Sequence, residues 1–258
     1  TAYSVKIQFI VEMYNKIAEV VVACMKKKEF PVIISGDHSN AGGTIAGLKM
    51  AFPKDTLGVI WIDAHADLHS PYTTPSGNLH GMPLAASTAL DNKVCQINQP
   101  EKKTIEAWEK LKKIGGISPK ITFKDLIYIA TRDMEKPEKF ILKKNNVRIY
   151  SVQKMRETGI QFVIEDAMKR LAHCDRIYVS FDVDSMDANV SRGTGTPVKS
   201  GLYESEAFQL VSGLAKEPKV CCMEITEVNP TLDNKKNMMA EIALEILEQF
   251  TGEIEKRL

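Results

Sequence analysis

The sequence predicts an α/β fold in three layers, a mostly parallel sheet with helices packed on both faces. Three observations carry that reading. Short apolar, β-branched runs alternate with longer segments whose apolar residues recur at three- and four-residue spacing. The short runs lack period-two polarity, as parallel strands covered on both faces do. The residues able to do chemistry cluster just after those runs, where open α/β sheets place their ligands.

In chain order, a first helical pattern covers residues 6–27. Its apolar side is interrupted by Lys6, Glu12, Lys16 and Glu19, the mark of an amphipathic surface helix and not of a signal peptide. A strand over residues 31–35 leads into Gly36-Asp37-His38-Ser39, and a helix over 43–51 follows. A second strand, 57–63, opens into Asp63-Ala64-His65-Ala66-Asp67. Residues 71–81 form the least structured stretch, longer than a simple connection needs, which marks a functional loop. After a helix over 101–113 come strands over 126–130 and 147–150 and a helix over 161–172. The strand over 176–182 ends in Asp182-Val183-Asp184-Ser185-Met186-Asp187, and a helix over 204–216 follows. The strand over 220–226 ends in Glu227-Val228-Asn229-Pro230, before a last helix over 237–250. Without repeats, low-complexity tracts or a Pro/Gly/Ser-rich linker, the chain reads as one domain over 1–258. Because it starts at Thr1, without Met and close to a helix, a preceding first-strand region is expected to be missing from it.

Composition narrows the function classes. Hydrophobic residues at 44% and charged residues at 26% belong to an ordinary globular chain. A net charge of +1 gives no reason to invoke nucleic acid or an anionic membrane surface. Cys24, Cys95, Cys174, Cys221 and Cys222 are odd in number and never form C-x-x-C, which argues against a disulfide framework or zinc ribbon and fits a reducing cytoplasm. No segment offers the roughly 18 uninterrupted apolar residues of a membrane span.

The strand ends hold the chemistry. Carboxylates and imidazoles this dense beside apolar strands repel each other and are costly to desolvate unless a cation sits among them. In Asp63-x-His65-x-Asp67 and Asp182-x-Asp184 the spacing of two puts side chains on one side of an extended segment, so that several can converge. Oxygen and nitrogen donors without thiolate favour Mn or a similar ion over structural zinc. Six ligands (His38, Asp63, His65, Asp67, Asp182, Asp184) exceed what one catalytic ion with open positions uses, whereas two ions about 3.5–4 Å apart use them all and ionise a bridging water. Taken singly, each motif also has a plainer reading: Asp37-His38 as a turn or helix cap, Asp-x-His-x-Asp and Asp182-x-Asp184 as exposed loop residues, Glu227 as a turn cap, residues 193–197 as a turn. Asn40-Ala41-Gly42-Gly43-Thr44 is no phosphate loop, because no Lys follows its glycines. Asp187 is expected to brace its neighbours and not to bind metal itself.

In this order and phase the clusters resemble the ureohydrolases, the family of arginases, agmatinases and formimidoylglutamases, over about residues 32–230. The resemblance implies an arginase/deacetylase-like three-layer fold and two Mn(2+) per chain. One ion would lie on His38, Asp63, Asp67 and Asp182, the other on Asp63, His65, Asp182 and Asp184, with Asp63 and Asp182 bridging. The loop from Ser70 to Gly81 and Thr131-Arg132-Asp133-Met134-Glu135 look like the arginase branch. That implies a small-molecule guanidino substrate, L-arginine, whose carboxylate meets Thr74, Ser76 and Asn78 and whose ammonium meets Asp133, Glu135 and Glu138. By the same resemblance Glu227 pairs with the guanidinium, Asp67 passes a proton to the leaving amine, His80 shuttles protons and Thr196 lines the guanidinium pocket. A homo-oligomer, trimer or hexamer, is implied as well. Departures from the family pattern are His69 for a customary Asn that serves the substrate carboxylate, Glu135 for Asp, Ser35 for Gly and Ala188 for Pro. The rivals are another ureohydrolase (agmatinase, guanidinobutyrase or formimidoylglutamase), a non-catalytic metal-stabilised binding or assembly protein, and a single-zinc deacetylase.

Overall fold

The computed structural model describes residues 2–257. Its strands are β1 (Val32–Ile34), β2 (Leu57–Ile62), β3 (Leu126–Ile129), β4 (Arg148–Tyr150), β5 (Arg176–Asp182) and β6 (Val220–Thr226). Among the described residues they form one six-stranded sheet in the order β1-β6-β5-β2-β3-β4, every neighbouring pair parallel. The helices are α1 (Ile7–Lys26), α2 (Ala41–Ala51), α3 (Pro83–Ser87), α4 (Lys102–Lys112), α5 (Lys136–Lys144), α6 (Val152–Thr158), α7 (Ile160–Arg170), α8 (Glu204–Ala215) and α9 (Met238–Arg257).

The strand period of two divides the apolar runs between two cores. Ile60, Ile62, Ile127, Ile129, Val179 and Phe181 face the layer made by α6 to α9. Val59, Trp61, Leu126, Tyr128 and Tyr178 face the layer of α1, α2 and α5. Burial on both faces thus holds for the inner strands. It fails at the sheet edge, where Ile34 of β1 is 72% exposed, since an edge strand has less helix cover than an inner one.

The glycines on either side of Thr44 serve packing. A Cβ on Gly42 would lie 2.2 Å from the Tyr14 hydroxyl, and one on Gly47 would lie 2.7 Å from Val21 Cβ. They let α2 press against α1 and seat the turn carrying His38. Helix boundaries fall within about two residues of the expectations except at the last, which runs on to Arg257. The short helices α3, α5 and α6 are additions that the sequence reading lacked. Residues 71–81 are an ordered loop: Tyr72, Thr73, Thr74 and Leu79 are buried, and the Asn98 side chain donates to the carbonyls of Pro71 and Thr74. Among the described residues no helix is long and apolar enough to cross a membrane.

Candidate active site

At the carboxyl ends of β1, β2, β5 and β6 lies a cavity of about 360 Å³, reached between the loop of residues 74–81, the turn before α5 and residues 196–198. Its floor is made by His38, His65, Asp67, Asp182 and Asp184, with Asp63 beneath. His38 Nδ1 lies 2.9 Å from Asp63 Oδ2, 3.2 Å from Asp67 Oδ2 and 3.1 Å from Asp182 Oδ2. His65 Nδ1 lies 3.4 Å from Asp63 Oδ1 and 3.0 Å from Asp184 Oδ2. Five of the six residues expected to share two cations are therefore gathered into two adjoining groups with Asp63 in both, and Asp182 stands beside the first at 3.1 Å from His38 Nδ1.

Each member is locally fixed. Trp61 stacks on the His38 ring at 3.9 Å between centroids, and His38 Nε2 sits 2.7 Å from Ser180 Oγ, which leaves Nδ1 turned to the carboxylates. Asp63 accepts the His65 amide and Asp182 accepts the Asp184 amide, so the spacing of two closes small turns that aim the ligands. Asp67 and Glu227 have φ of 51° and 67°, the left-handed region that costs a residue with a side chain about 1–2 kcal/mol. The packed surroundings hold them there.

The floor is electrostatically unbalanced on its own. His38 Nδ1 and Asp63 Oδ2, buried and 2.9 Å apart, make no hydrogen bond to each other or to any other described residue. Burial, reinforced by the charge of Asp63, pushes the Asp67 carboxyl up to about 7, and burial with neighbouring carboxylates also raises Asp182 and Asp184. Burial opposes charge on His65, yet its hydrogen bonds to Asp184 and Asp63 outweigh it and hold the imidazole at about 12. His38 is likewise raised against burial by Asp182, Asp63 and Asp67. Against its own burial, Asp63 is lowered by His38 and His65. Four carboxylates thus demand positive charge. Protons on the imidazoles are one source and divalent metals the other, and two buried atoms aimed at a common point without bonding fit the second.

Above the floor, the Glu227 carboxylate accepts the His38 amide through Oε1 at 2.8 Å and faces His80 Nδ1 at 3.7 Å. The nearby Glu227 carboxylate holds the His80 pKa up in spite of burial. Thr196 Oγ1 donates to Asp184 Oδ2 at 3.0 Å. On the rim, Thr74 Oγ1 and Ser76 Oγ accept the amides of Gly77 and Asn78, and both hydroxyls and Asn78 line the cavity. Asp133, Glu135, Glu138 and His69 line it as well.

Two rim residues that line the cavity also have partners within the protein. Glu138 is buried with Oε1 on the Leu68 amide and Oε2 on the Glu135 amide, so its carboxylate is occupied in capping α5. His69 presents Nε2 to Glu135 Oε2 at 2.9 Å and Nδ1 to Thr73 Oγ1 at 3.2 Å, so both ring nitrogens have partners within the protein. The two departures, His69 and Glu135, thus form a pair.

Arg132, quoted in the motif but given no role, turned out to be a clamp: its guanidinium donates to the carbonyls of Ala130, Asp184, Ser185, Met186, Val198 and Lys199. It ties the turn carrying Asp184 to the loop carrying Thr196. Buried Glu224, also unforeseen, takes hydrogen bonds from Ser35, Thr44 and Tyr178, which gives Ser35 a use that Gly could not fill. The Ala188 amide donates to the Val198 carbonyl, a bond that Pro would lose. Asp187 accepts the amides of Asn189 and Gly201 and acts as a brace.

The Arginase family matches residues 2–252 of the chain. The chain belongs to the arginase family. It is 34% identical over 238 residues to the arginase of Bacillus subtilis (strain 168), covering 92% of this chain and 74% of that protein. The arginase structure of Bacillus caldovelox superposes with a TM-score of 0.85 at 32% identity over 97% of this chain and 78% of that one. An Entamoeba histolytica arginase in complex with L-ornithine does so with a TM-score of 0.84 at 28% identity over 98% and 80%. This arginase-family chain is therefore a ureohydrolase-type enzyme acting on carbon–nitrogen bonds of linear amidines. The family is metal-dependent, and the chain carries clusters able to bind metal.

Proposed function

We propose that this member of the family hydrolyses L-arginine to L-ornithine and urea with two Mn(2+) as cofactors. The observation that supports it most is the gathering of two imidazoles and four carboxylates under a cavity whose lining also offers neutral donors and further carboxylates. His38, Asp63, Asp67 and Asp182 would hold one ion, and Asp63, His65, Asp182 and Asp184 the other; donors without thiolate suit Mn. Bound there, the pair supplies hydroxide at neutral pH by lowering the pKa of water towards about 7.

The chain's own residues do the rest. Glu227, with Oε1 held by the His38 amide, keeps Oε2 for the substrate guanidinium and orients its carbon above the floor. Thr196 closes the side of that pocket. The hydroxyls of Thr74 and Ser76 and the Asn78 amide receive the substrate carboxylate, while Asp133 and Glu135 receive the ammonium, Glu135 being steadied by His69 and by the α5 turn that Glu138 caps. Asp67 carries a proton to the departing amine, and His80, half-exposed and paired with Glu227, exchanges it with solvent. By analogy with its family the enzyme would act in the cytoplasm as a homo-oligomer, trimer or hexamer.

The test is urea release by Mn-loaded protein from L-arginine, agmatine and guanidinobutyrate, and formamide release from formimidoylglutamate. Preference for L-arginine is expected; preference for agmatine would overturn the substrate. In the rival reading the His69–Glu135 pair withholds Glu135 from any ammonium, which suits guanidinobutyrate, a substrate that has none.

A further inference from the structure

At the opposite end of the sheet, three side chains of metal-binding type meet around the start of β2. Because β3 and β5 flank β2, Asp125, just before β3, is brought to His173 and Cys174, in the turn before β5. Gly58 of β2 makes the room: a Cβ there would lie 3.1 Å from Cys174 Sγ. His173 Nε2 lies 2.8 Å from Asp125 Oδ1 and 3.5 Å from Cys174 Sγ. Asp125 is buried, and its Oδ2 already accepts the Thr122 amide and hydroxyl, which leaves Oδ1 for the imidazole. Lys219 Nζ donates to the carbonyls of Ala172 and Cys174 and pins the turn.

The hydrogen-bond inventory restricts what can lie between these groups. His173 Nδ1 is 3.1 Å from the Arg170 carbonyl, which only accepts, so Nδ1 bears hydrogen. In a neutral ring Nε2 is then a lone pair facing the Asp125 carboxylate, and a positive charge between them, a proton or a metal ion, relieves that repulsion. An Nδ1–H held by a backbone carbonyl is also how proteins orient a metal-ligating histidine. Cysteine, histidine and aspartate together are a zinc ligand set, and bonds of about 2.0–2.3 Å at tetrahedral angles place such atoms about 3.3–3.7 Å apart. The sulfur–nitrogen separation already matches, and the oxygen–nitrogen pair would open by a few tenths of an ångström.

We propose that Asp125, His173 and Cys174 form a further metal site, separate from the active site, which takes a zinc-like divalent ion with solvent as fourth ligand. It fastens the starts of β3 and β5 together across β2. The ion enters past His173, whose side chain is 38% exposed. Burial holds the Cys174 thiol up at about 12, so binding displaces its proton to solvent and tightens as pH rises.

The test uses the full chain, first loaded with Mn(2+) and then titrated with Co(2+). Tetrahedral cobalt on thiolate gives a near-ultraviolet charge-transfer band that the nitrogen and oxygen donors of the active site cannot produce. The expected result is one such band saturating at one ion per chain, abolished by Cys174→Ser and weakened about a hundredfold or more in affinity by His173→Asn. His173 is exposed enough for that variant to fold, which circular dichroism checks, so it decides the matter if Cys174→Ser does not fold. No band in the parent protein, or a band unchanged in His173→Asn, would overturn the site and leave an imidazolium–carboxylate pair. The readout is independent of urea release.

Discussion

The floor and the rim of the active site are built on opposite principles. On the floor, Asp63, Asp182 and Asp184 are buried, push one another's charge about, and leave His38 Nδ1 and Asp63 Oδ2 without hydrogen bonds. On the rim, Thr74, Ser76, His69, Glu135 and Glu138 all have partners in the protein. A set of groups that is unsatisfied by itself awaits an ion, whereas satisfied groups have to trade existing bonds for a ligand. The floor therefore governs whether the chemistry occurs, and the rim governs which guanidine receives it.

Variants should break this contrast in a graded way. Asp63→Asn, which removes a carboxylate common to both floor groups, is expected to lower kcat for urea release by at least about 10³-fold, several kcal/mol of barrier. Loss of one bound ion per chain in elemental analysis should accompany it. A residual rate within tenfold of the parent would mean that Asp63 holds no ion. Glu227→Gln keeps the acceptor for the His38 amide but removes the charge, and about 10²-fold in kcat/KM is expected to go with it, without loss of metal. His80→Asn should cost about 10²-fold in kcat with KM little changed, and added imidazole should restore part of it. On the rim, His69→Asn frees Glu135 from its partner, and a change in KM of about tenfold or less with kcat intact is expected. If His69→Asn instead abolished turnover, the division between floor and rim would fail.

The same contrast sets the response to pH once metal is removed. Asp67 titrates near 7 in the folded chain and near 3.8 when unfolded, so the folded state holds the extra proton and stability falls as pH rises across that interval. His65, raised to about 12, adds stability below its unfolded value of 6.5 that is lost as pH rises through 12, the same direction. Chelated protein should therefore melt at progressively lower temperature between pH 5 and pH 9. Mn-loaded protein should resist this, because ions bind deprotonated ligands and tighten with pH. A gap in Tm that narrows towards high pH would contradict the account.

How much of this the sequence disclosed follows from where each interaction is encoded. The inner strands were readable because an apolar, β-branched run is a local signal, and the floor because Asp63-x-His65-x-Asp67 and Asp182-x-Asp184 put several ligands on one short segment. The part Glu138 plays in capping α5 went unread, although Glu135-Lys136-Pro137-Glu138 carries a capping pair and an early Pro that announce a helix. Arg132 could not be read at all: its six carbonyl acceptors come from the loops near residues 130, 185 and 199, which meet only in the folded chain. The same holds for Asp125, His173 and Cys174, which are neighbours only because β2 lies between β3 and β5.

The most direct measurement is anomalous scattering at the manganese edge from crystals of the Mn-loaded protein. Two peaks about 3.5–4 Å apart are expected between His38 and His65, both within bonding distance of Asp63 and Asp182. One peak, or peaks elsewhere with His38 Nδ1 still facing only carboxylates, would contradict the two-ion floor on which the proposed reaction rests.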